Sequence, residues 1–232
     1  MFQENIASSL PPTTLSLITY LLDSQYITLD IYNELLDAIS TLSSNCWTIY
    51  THSLAETEGE PESVHSPDDI TINSVWLPVL RLVCQQCLRM NPEQQLGALD
   101  LLEELMCDNN LQVLSSAEYN EIISKTILPT LREVLLQAAG ISPSTTDKPR
   151  VMRMSENPVL ETLMEVMVSI LQMRFESLLV LDGFSTLWNQ ILSIIQFVQT
   201  ISIANGALQQ QNMKALTVLL KHASTFGVFK VR

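Results

Sequence analysis

The chain has 232 residues, 47% of them hydrophobic and 16% charged, with 25 acidic residues against 12 Lys and Arg and a net charge of -13. This apolar content excludes disorder throughout, and the acidity argues against nucleic-acid binding, which needs a basic footprint. Six glycines and 6% aromatic residues disfavour turn-rich β folds and glycine-loop nucleotide-binding folds.

The negative charge is concentrated at the N-terminal end of the chain. Residues 1–80 contain eleven acidic side chains and no basic one, and the first basic residue is Arg81. An acidic surface is repelled by anionic lipid and by nucleic acid. We therefore expect a solvated, solubilising face here.

Targeting signals are absent from the sequence pattern. The longest apolar run, 191–204, is interrupted by Gln196 and Gln199 and is shorter than the roughly 20 residues of a spanning helix. Four cysteines in a chain of this length do not form a disulfide framework. These features predict a soluble intracellular protein.

Helical periodicity dominates the chain. Apolar residues recur every three to four positions in eight segments, which predicts helices over 13–25, 29–52, 73–90, 92–107, 116–139, 157–180, 184–204 and 207–224. Start signals agree, with Asn-Pro pairs at 91–92 and 157–158 and capping-box spacing from Ser115 to Glu118. Gly140 and Gly206 are predicted to end helices. In the sixth segment, one stripe is predicted to be buried: Leu160, Leu163, Met164, Met167, Ile170, Leu171 and Leu178.

Two polar segments divide the helices. Residues 55–72 are acidic, and residues 141–156 are mildly basic; both are predicted to be loops. The predicted organisation is an acidic helix pair at 1–54, helical repeats at 73–140 and further helical repeats at 157–232.

A weak internal repeat favours a particular helical architecture. Leu77-Pro78 and Leu128-Pro129 both lie inside helical patterns, 51 residues apart. Solenoids of paired helices repeat every roughly 40–47 residues, and prolines that kink helices suit curved stacks. We therefore predict an all-α fold, a right-handed α-solenoid of HEAT/armadillo-like antiparallel helix pairs with about eight helices, in preference to a compact bundle.

The search for catalytic chemistry finds no site. Cys84 and Cys87 form the one paired-cysteine motif, but a structural zinc needs four ligands. Their place in an amphipathic helix predicts buried core residues. The three histidines, His52, His65 and His222, have no metal-site spacing, and phosphate-loop, dinucleotide and hydrolase signatures are missing. We predict no catalytic residues, no metal and no cofactor.

Four aromatic residues are the candidate functional side chains. Tryptophan and tyrosine serve both as core wedges and as anchors in protein interfaces. Inter-repeat packing and partner-facing anchoring therefore both stay open for Trp76, Tyr119, Phe184 and Trp188.

Several strings in order resemble a known family. They are Trp76-Leu77-Pro78, residues 96–102 (LGALDLL), 111–114 with 117–119, Ile127-Leu128-Pro129 and residues 184–192 (FSTLWNQIL). They resemble the helical regions downstream of the catalytic domain in large Arf guanine-nucleotide exchange factors of the Golgi brefeldin-A-resistance class. Nothing in the sequence matches the Sec-seven-type exchange domain of such factors. The resemblance thus implies a C-terminal portion of a longer protein, or a short relative, that is not itself an enzyme.

Two functions follow from these observations. The resemblance implies a non-catalytic regulatory or membrane-recruitment region in ER–Golgi vesicle traffic. Its implied partners are Arf- or Rab-type small GTPases, other domains of the same factor and, indirectly, the Golgi membrane, with a peripheral cytoplasmic location. The alternative is an unrelated α-solenoid scaffold or transport adaptor, which would bind proteins without regard to nucleotide state. No nucleic-acid partner is expected.

Overall fold

The computed structural model describes residues 4–24, 26–57, 75–108, 111, 114–140, 158–179, 183–202 and 206–226. Helices make up the regular structure of these residues, among which no strand occurs, so the all-α prediction is confirmed. The solenoid arrangement stays a prediction. The loop predicted at 141–156 lies outside the described residues, as does the loop at 55–72 beyond Thr57.

The chain divides into two compact units, Met1–Gln86 and Cys87–Arg232. The first contains α1 (Glu4–Leu22), α2 (Leu29–Thr57), a π-helical turn at 75–76 and α3 (Leu77–Gln86). Helix α1 begins nine residues before the predicted start and continues through residues 11–12, both prolines. Proline removes a backbone donor from a helix interior, so a helix that continues through two prolines is not expected from local sequence rules.

The core of the first unit combines aliphatic and indole side chains. Helices α1 and α2 contact each other as a hairpin, and α1 buries Ile18 and Leu22 on one stripe. Trp47 of α2 and Trp76 of the π-helical turn are both buried, with ring centroids 5.4 Å apart at 60°. Such a tilted pair adds to the area that the two rings remove from water.

The second unit begins with α4 (Pro92–Cys107). It continues with α5 (Ser116–Ile122), a π-helical turn (Ile123–Ile127), α6 (Leu128–Ala138), α7 (Pro158–Met173), α8 (Phe175–Leu179), α9 (Phe184–Ile201) and α10 (Gly206–Thr225). The predicted segment 157–180 is therefore two helices, which separate at Arg174. Within the described residues, none of the helices combines the length and apolar character needed to span a bilayer.

Two of the three predicted start signals are present as hydrogen bonds, and the third, at Asn157, lies outside the described residues. The Asn91 side chain accepts from the backbone of the first turn of α4, at 2.9 and 3.4 Å. The Ser115 hydroxyl accepts from the Glu118 amide at 3.3 Å, and the Glu118 carboxylate accepts from the Ser115 amide at 2.8 Å. These bonds satisfy amides that have no partner inside the helix, and the capping-box prediction is confirmed.

The two predicted glycine stops differ in outcome. Gly140 follows α6 with φ of 67°, the left-handed conformation that glycine adopts at low cost, so this prediction is confirmed. The prediction for Gly206 is wrong, because Gly206 is the first residue of α10. Helix α9 has already ended at Ser202, whose amide donates to the Val198 carbonyl and whose backbone stays right-handed.

Helix α7 is the centre of the second unit. It contacts α4, α6 and α10. The whole predicted stripe is buried, with its last member, Leu178, on α8, and Val159 and Val166 are buried beside it on α7. At 100° per residue, these valines widen the buried arc of α7 to more than a third of its circumference. A helix with neighbours on several sides needs this wider apolar face.

Both Leu-Pro pairs of the internal repeat follow a π-helical turn. The first turn covers residues 75–76, ahead of Pro78, and the second covers Ile123–Ile127, ahead of Pro129. In the second, the Leu128 amide donates to the Ile123 carbonyl, five residues back. Proline has no amide and its ring crowds the preceding turn, and a wider turn accommodates that ring within a continuous helix. The repeat seen in the sequence is thus matched by a repeated backbone feature.

Removing a central side chain of α7 should destabilise the second unit. Leu163 is fully buried, so we expect Leu163→Ala to lower the free energy of unfolding by about 3 kcal/mol through lost transfer energy and a residual cavity. Met173→Ala is the control, because Met173 ends the same helix and is 40% exposed. Urea denaturation followed by circular dichroism measures both. Equal losses for the two variants would contradict the central position of α7.

Candidate protein-binding groove

The cysteine motif is part of the core. Cys84 and Cys87 are both buried, as predicted, although α3 ends at Gln86 and Cys87 lies in the turn that follows. None of the four cysteines is in a disulfide. Among the described residues, no group of three or more His, Cys, Asp or Glu side chains is placed to hold a metal ion.

Two of the thiols have pKa values well above that of an ordinary cysteine. Burial raises the pKa of Cys46 to about 11. Burial, followed by the neighbouring Glu103 carboxylate, raises the pKa of Cys107 to about 11. Because the thiolate is the reactive form, both side chains are chemically quiet at neutral pH.

Tyr119, one of the four candidate aromatic residues, is buried and hydrogen-bonded. Its hydroxyl donates to the Ile170 carbonyl of α7 at 3.0 Å. The Arg174 guanidinium lies 5.0 Å from the centre of the ring and donates to the carbonyls of Leu111 and Leu114, at 3.1 and 2.8 Å. Burial foremost, with a contribution from Cys107, raises the pKa of Tyr119, and Arg174 opposes this rise. The Tyr119–Arg174 pair ties the turn after α4 to the junction of α7 and α8.

Phe184 and Trp188, two further candidates, stack on each other with ring centroids 5.8 Å apart. Both are half-buried. Phe175 of α8 is buried beneath them and lies 5.9 Å from Phe184 and 6.0 Å from Trp188. It also lies 6.1 Å from His222 and 6.3 Å from Phe226, at the end of α10. This aromatic cluster joins α8, α9 and α10.

The four candidates therefore lie in three places. Trp76 packs on Trp47 in the first unit, and Tyr119 packs under Arg174 in the second. Trp76 and Tyr119 are about 1% exposed, so they act as packing residues within this chain. Phe184 and Trp188 are brought together and keep part of their surface in solvent.

A groove of about 680 Å³ lies between α6 and α9. Its apolar lining includes Leu128 and Ile194, which are buried, and Leu136, which is half-buried. Its polar lining consists of Ser124, Arg132, Glu133, Thr186, Asn189, Gln190 and Ser193. An apolar centre within a polar rim is the usual composition of a protein-binding surface.

Helix α9 supplies one wall of the groove. Residues 186, 189, 190 and 193 recur at three- and four-residue spacing and so share one face of the helix. Phe184 and Trp188 lie on a different face, towards the aromatic cluster. The three- and four-residue spacing of these polar residues is visible in the sequence and indicates a polar helix face. Only the packing of α9 against α6 makes it one wall of a groove.

Arg132 provides the main cationic side chain of the groove. It is exposed on α6, and within the part of the chain that the structure describes no hydrogen bond or ion pair engages its guanidinium. Arginine is over-represented among the residues that dominate protein-binding energies. With Glu133 beside it, the rim carries both signs of charge and favours a partner segment of mixed polar character.

Thiol reactivity should be low in the folded chain. At pH 7.5 we expect Cys46 and Cys107 to react slowly with a disulfide reagent such as DTNB, because their pKa values of about 11 leave little thiolate. All four cysteines should react at once in guanidinium chloride. The spectrophotometric time course measures this. Rapid reaction of any thiol in the native chain would contradict the burial and the raised pKa values described above.

Arg174 should contribute to stability far more than Arg132. Arg174→Met removes the donors to two buried backbone carbonyls, so we expect a loss of about 2 kcal/mol in the free energy of unfolding. Arg132→Met is the matched control, and its effect should stay within about 0.5 kcal/mol, as for most surface positions. Urea denaturation compares them. A loss of the same size at both positions would refute the role of Arg174.

The comparison with known protein families identifies the region that carries the groove. Residues 76–226 match the model of the "GBF1-like, tetratrico peptide repeat region" family. No curated protein and no solved structure matches the chain. The match covers all of the strings on which the resemblance to Arf exchange factors rests, and it is to a repeat region, not to a catalytic domain. The chain belongs to the GBF1-like tetratricopeptide repeat family.

Proposed function

We propose that this chain is a non-catalytic regulatory and recruitment region of a Golgi Arf guanine-nucleotide exchange factor. The family match carries the proposal, because it is to a GBF1-like repeat region over residues 76–226. In this role the chain acts at the cytoplasmic face of the early Golgi, through protein contacts, while nucleotide exchange belongs to another part of the parent factor. Family membership favours this function over the unrelated scaffold.

The groove between α6 and α9 is the proposed contact surface. It lies within the matched residues, and its volume of about 680 Å³ accommodates a short helical or extended segment of a partner. Arg132 and Glu133 carry opposite charges, and the other polar side chains of the groove are neutral. A folded GTPase surface therefore meets no electrostatic barrier there. The proposed partners are small GTPases of the Arf or Rab type, and other domains of the same factor.

Membrane recruitment is proposed to depend on these protein contacts. The chain carries a net charge of -13, which an anionic membrane surface would repel. A partner GTPase that is itself held at the membrane would overcome this repulsion. The Golgi membrane is then an indirect partner of the chain.

A groove variant should separate binding from folding. The purified chain should capture one Arf or Rab protein loaded with a non-hydrolysable GTP analogue in preference to its GDP form. Ser193→Arg fills the groove and should weaken this capture about tenfold. Gln196→Arg adds the same side chain on an exposed position of α9 outside the groove and should leave capture unchanged.

Capture that is equal in both nucleotide states would favour a scaffold that does not distinguish the GDP form of the GTPase from its GTP form. Absence of capture in both states would overturn the proposed partners. Unchanged capture by Ser193→Arg would show that the groove is not the contact surface. In the same preparations, the chain should not accelerate release of a fluorescent GDP analogue from Arf, and acceleration would contradict the non-catalytic role.

A further inference from the structure

The end of the α1–α2 hairpin exposes an unusual amount of apolar surface. Eleven large hydrophobic side chains are exposed among the described residues, and six of them fall between residues 17 and 31. We call these six the hairpin patch: Leu17, Tyr20, Leu21, Tyr26, Leu29 and Ile31. Tyr26 is 91% exposed, Tyr20 76% and Leu17 58%. Concentrated apolar exposure of this kind marks interaction sites, whereas scattered exposure does not.

Between Leu17 and Leu22, helix α1 is apolar on two faces. Ile18 and Leu22, four residues apart, form the stripe buried within the first unit. Leu17, Tyr20 and Leu21 have three- and four-residue spacing on another face, which is exposed. A surface helix that packs on one side only has a polar outer face. The outer stripe of α1 therefore has a use beyond the packing of this hairpin.

The turn between α1 and α2 places all six side chains at one end of the hairpin. Six residues connect Leu22 to Leu29. The Ser24 amide donates to the Leu21 carbonyl at 3.1 Å, and the Tyr32 amide donates to the Thr28 carbonyl at 2.9 Å. These bonds hold the turn at both sides, and the six exposed apolar side chains lie at the end of α1, in the turn and at the start of α2.

Exposed carboxylates share the segment that carries the hairpin patch. Asp30, Glu34 and Asp37 are all exposed and lie in or beside the same segment. No lysine or arginine occurs in the first 80 residues, so no basic side chain of this segment offsets them. The segment thus combines exposed apolar side chains with exposed charges that are all negative, which we call the acidic rim. A surface of this kind is complementary to apolar side chains flanked by Lys or Arg.

We propose that the hairpin patch is a docking site for a basic amphipathic helix of a partner protein. Tyr20 and Tyr26 serve as the apolar anchors, and the carboxylates pair with the Lys or Arg side chains of the incoming helix. The charge argues against the other occupants. A second copy would bring the same acidic rim onto itself, and an anionic membrane would be repelled. The site lies outside residues 76–226 and shares no residue with the groove.

The test uses a synthetic amphipathic helical peptide, with leucines on one face and lysines on the flanks, labelled for fluorescence anisotropy. We expect it to bind the full chain, and the same peptide with glutamate at each lysine position not to bind. Tyr20→Ser with Tyr26→Ser should weaken binding about tenfold without changing the charge of the chain. Asp30→Asn with Glu34→Gln should weaken it and reduce its dependence on salt.

Met90→Ser is the matched control, because Met90 is 88% exposed and lies outside the patch. Its binding should equal that of the native chain, and circular dichroism should give the same helix content for every variant. Equal binding of the lysine and glutamate peptides, or native binding by the double tyrosine variant, would overturn the proposal. So would self-association in sedimentation equilibrium, or binding to phosphatidylserine vesicles, that the double tyrosine variant abolishes.

Discussion

The burial of α7 is the constraint on which the second unit depends. This helix contacts α4, α6 and α10, and its side chains from Val159 to Leu171 supply the apolar surface for these contacts. Arg174, at its end, adds hydrogen bonds to the turn after α4 and covers the Tyr119 ring. Helix α6 is held against α7 and also contacts α9, and this packing determines the shape of the groove.

The two prolines of the internal repeat occur next to the same backbone feature. Pro78 and Pro129 each follow a π-helical turn, which lets a helix continue past a residue that cannot donate a backbone hydrogen bond. In the second unit, the α-helix that resumes after the turn is α6, which carries Arg132 and one wall of the groove. The 51-residue spacing of the two pairs therefore reflects a repeated structural device, although the solenoid as a whole stays a prediction.

The two proposed surfaces differ in their chemistry. The groove is polar with both signs of charge and lies within the family-matched residues. The hairpin patch is apolar with an acidic rim and lies outside them. Surfaces of such different character suit different partners, since apolar anchors supply affinity and charge patterns supply selectivity.

Local patterns in the sequence determined the helices, because helical periodicity and caps depend on neighbours in the chain. The bounds of α4, the capping box at Ser115, the stop at Gly140 and the buried stripe of α7 were all predicted in this way. Tertiary structure decided what the periodicity left open: the start of α10 at Gly206, the stacking of Phe184 on Trp188, and the burial of Trp76 and Tyr119. It also decided that the polar face of α9 lines a groove while the apolar outer face of α1 meets solvent. These features depend on which helices pack together, and that choice is made by contacts between residues far apart in the sequence.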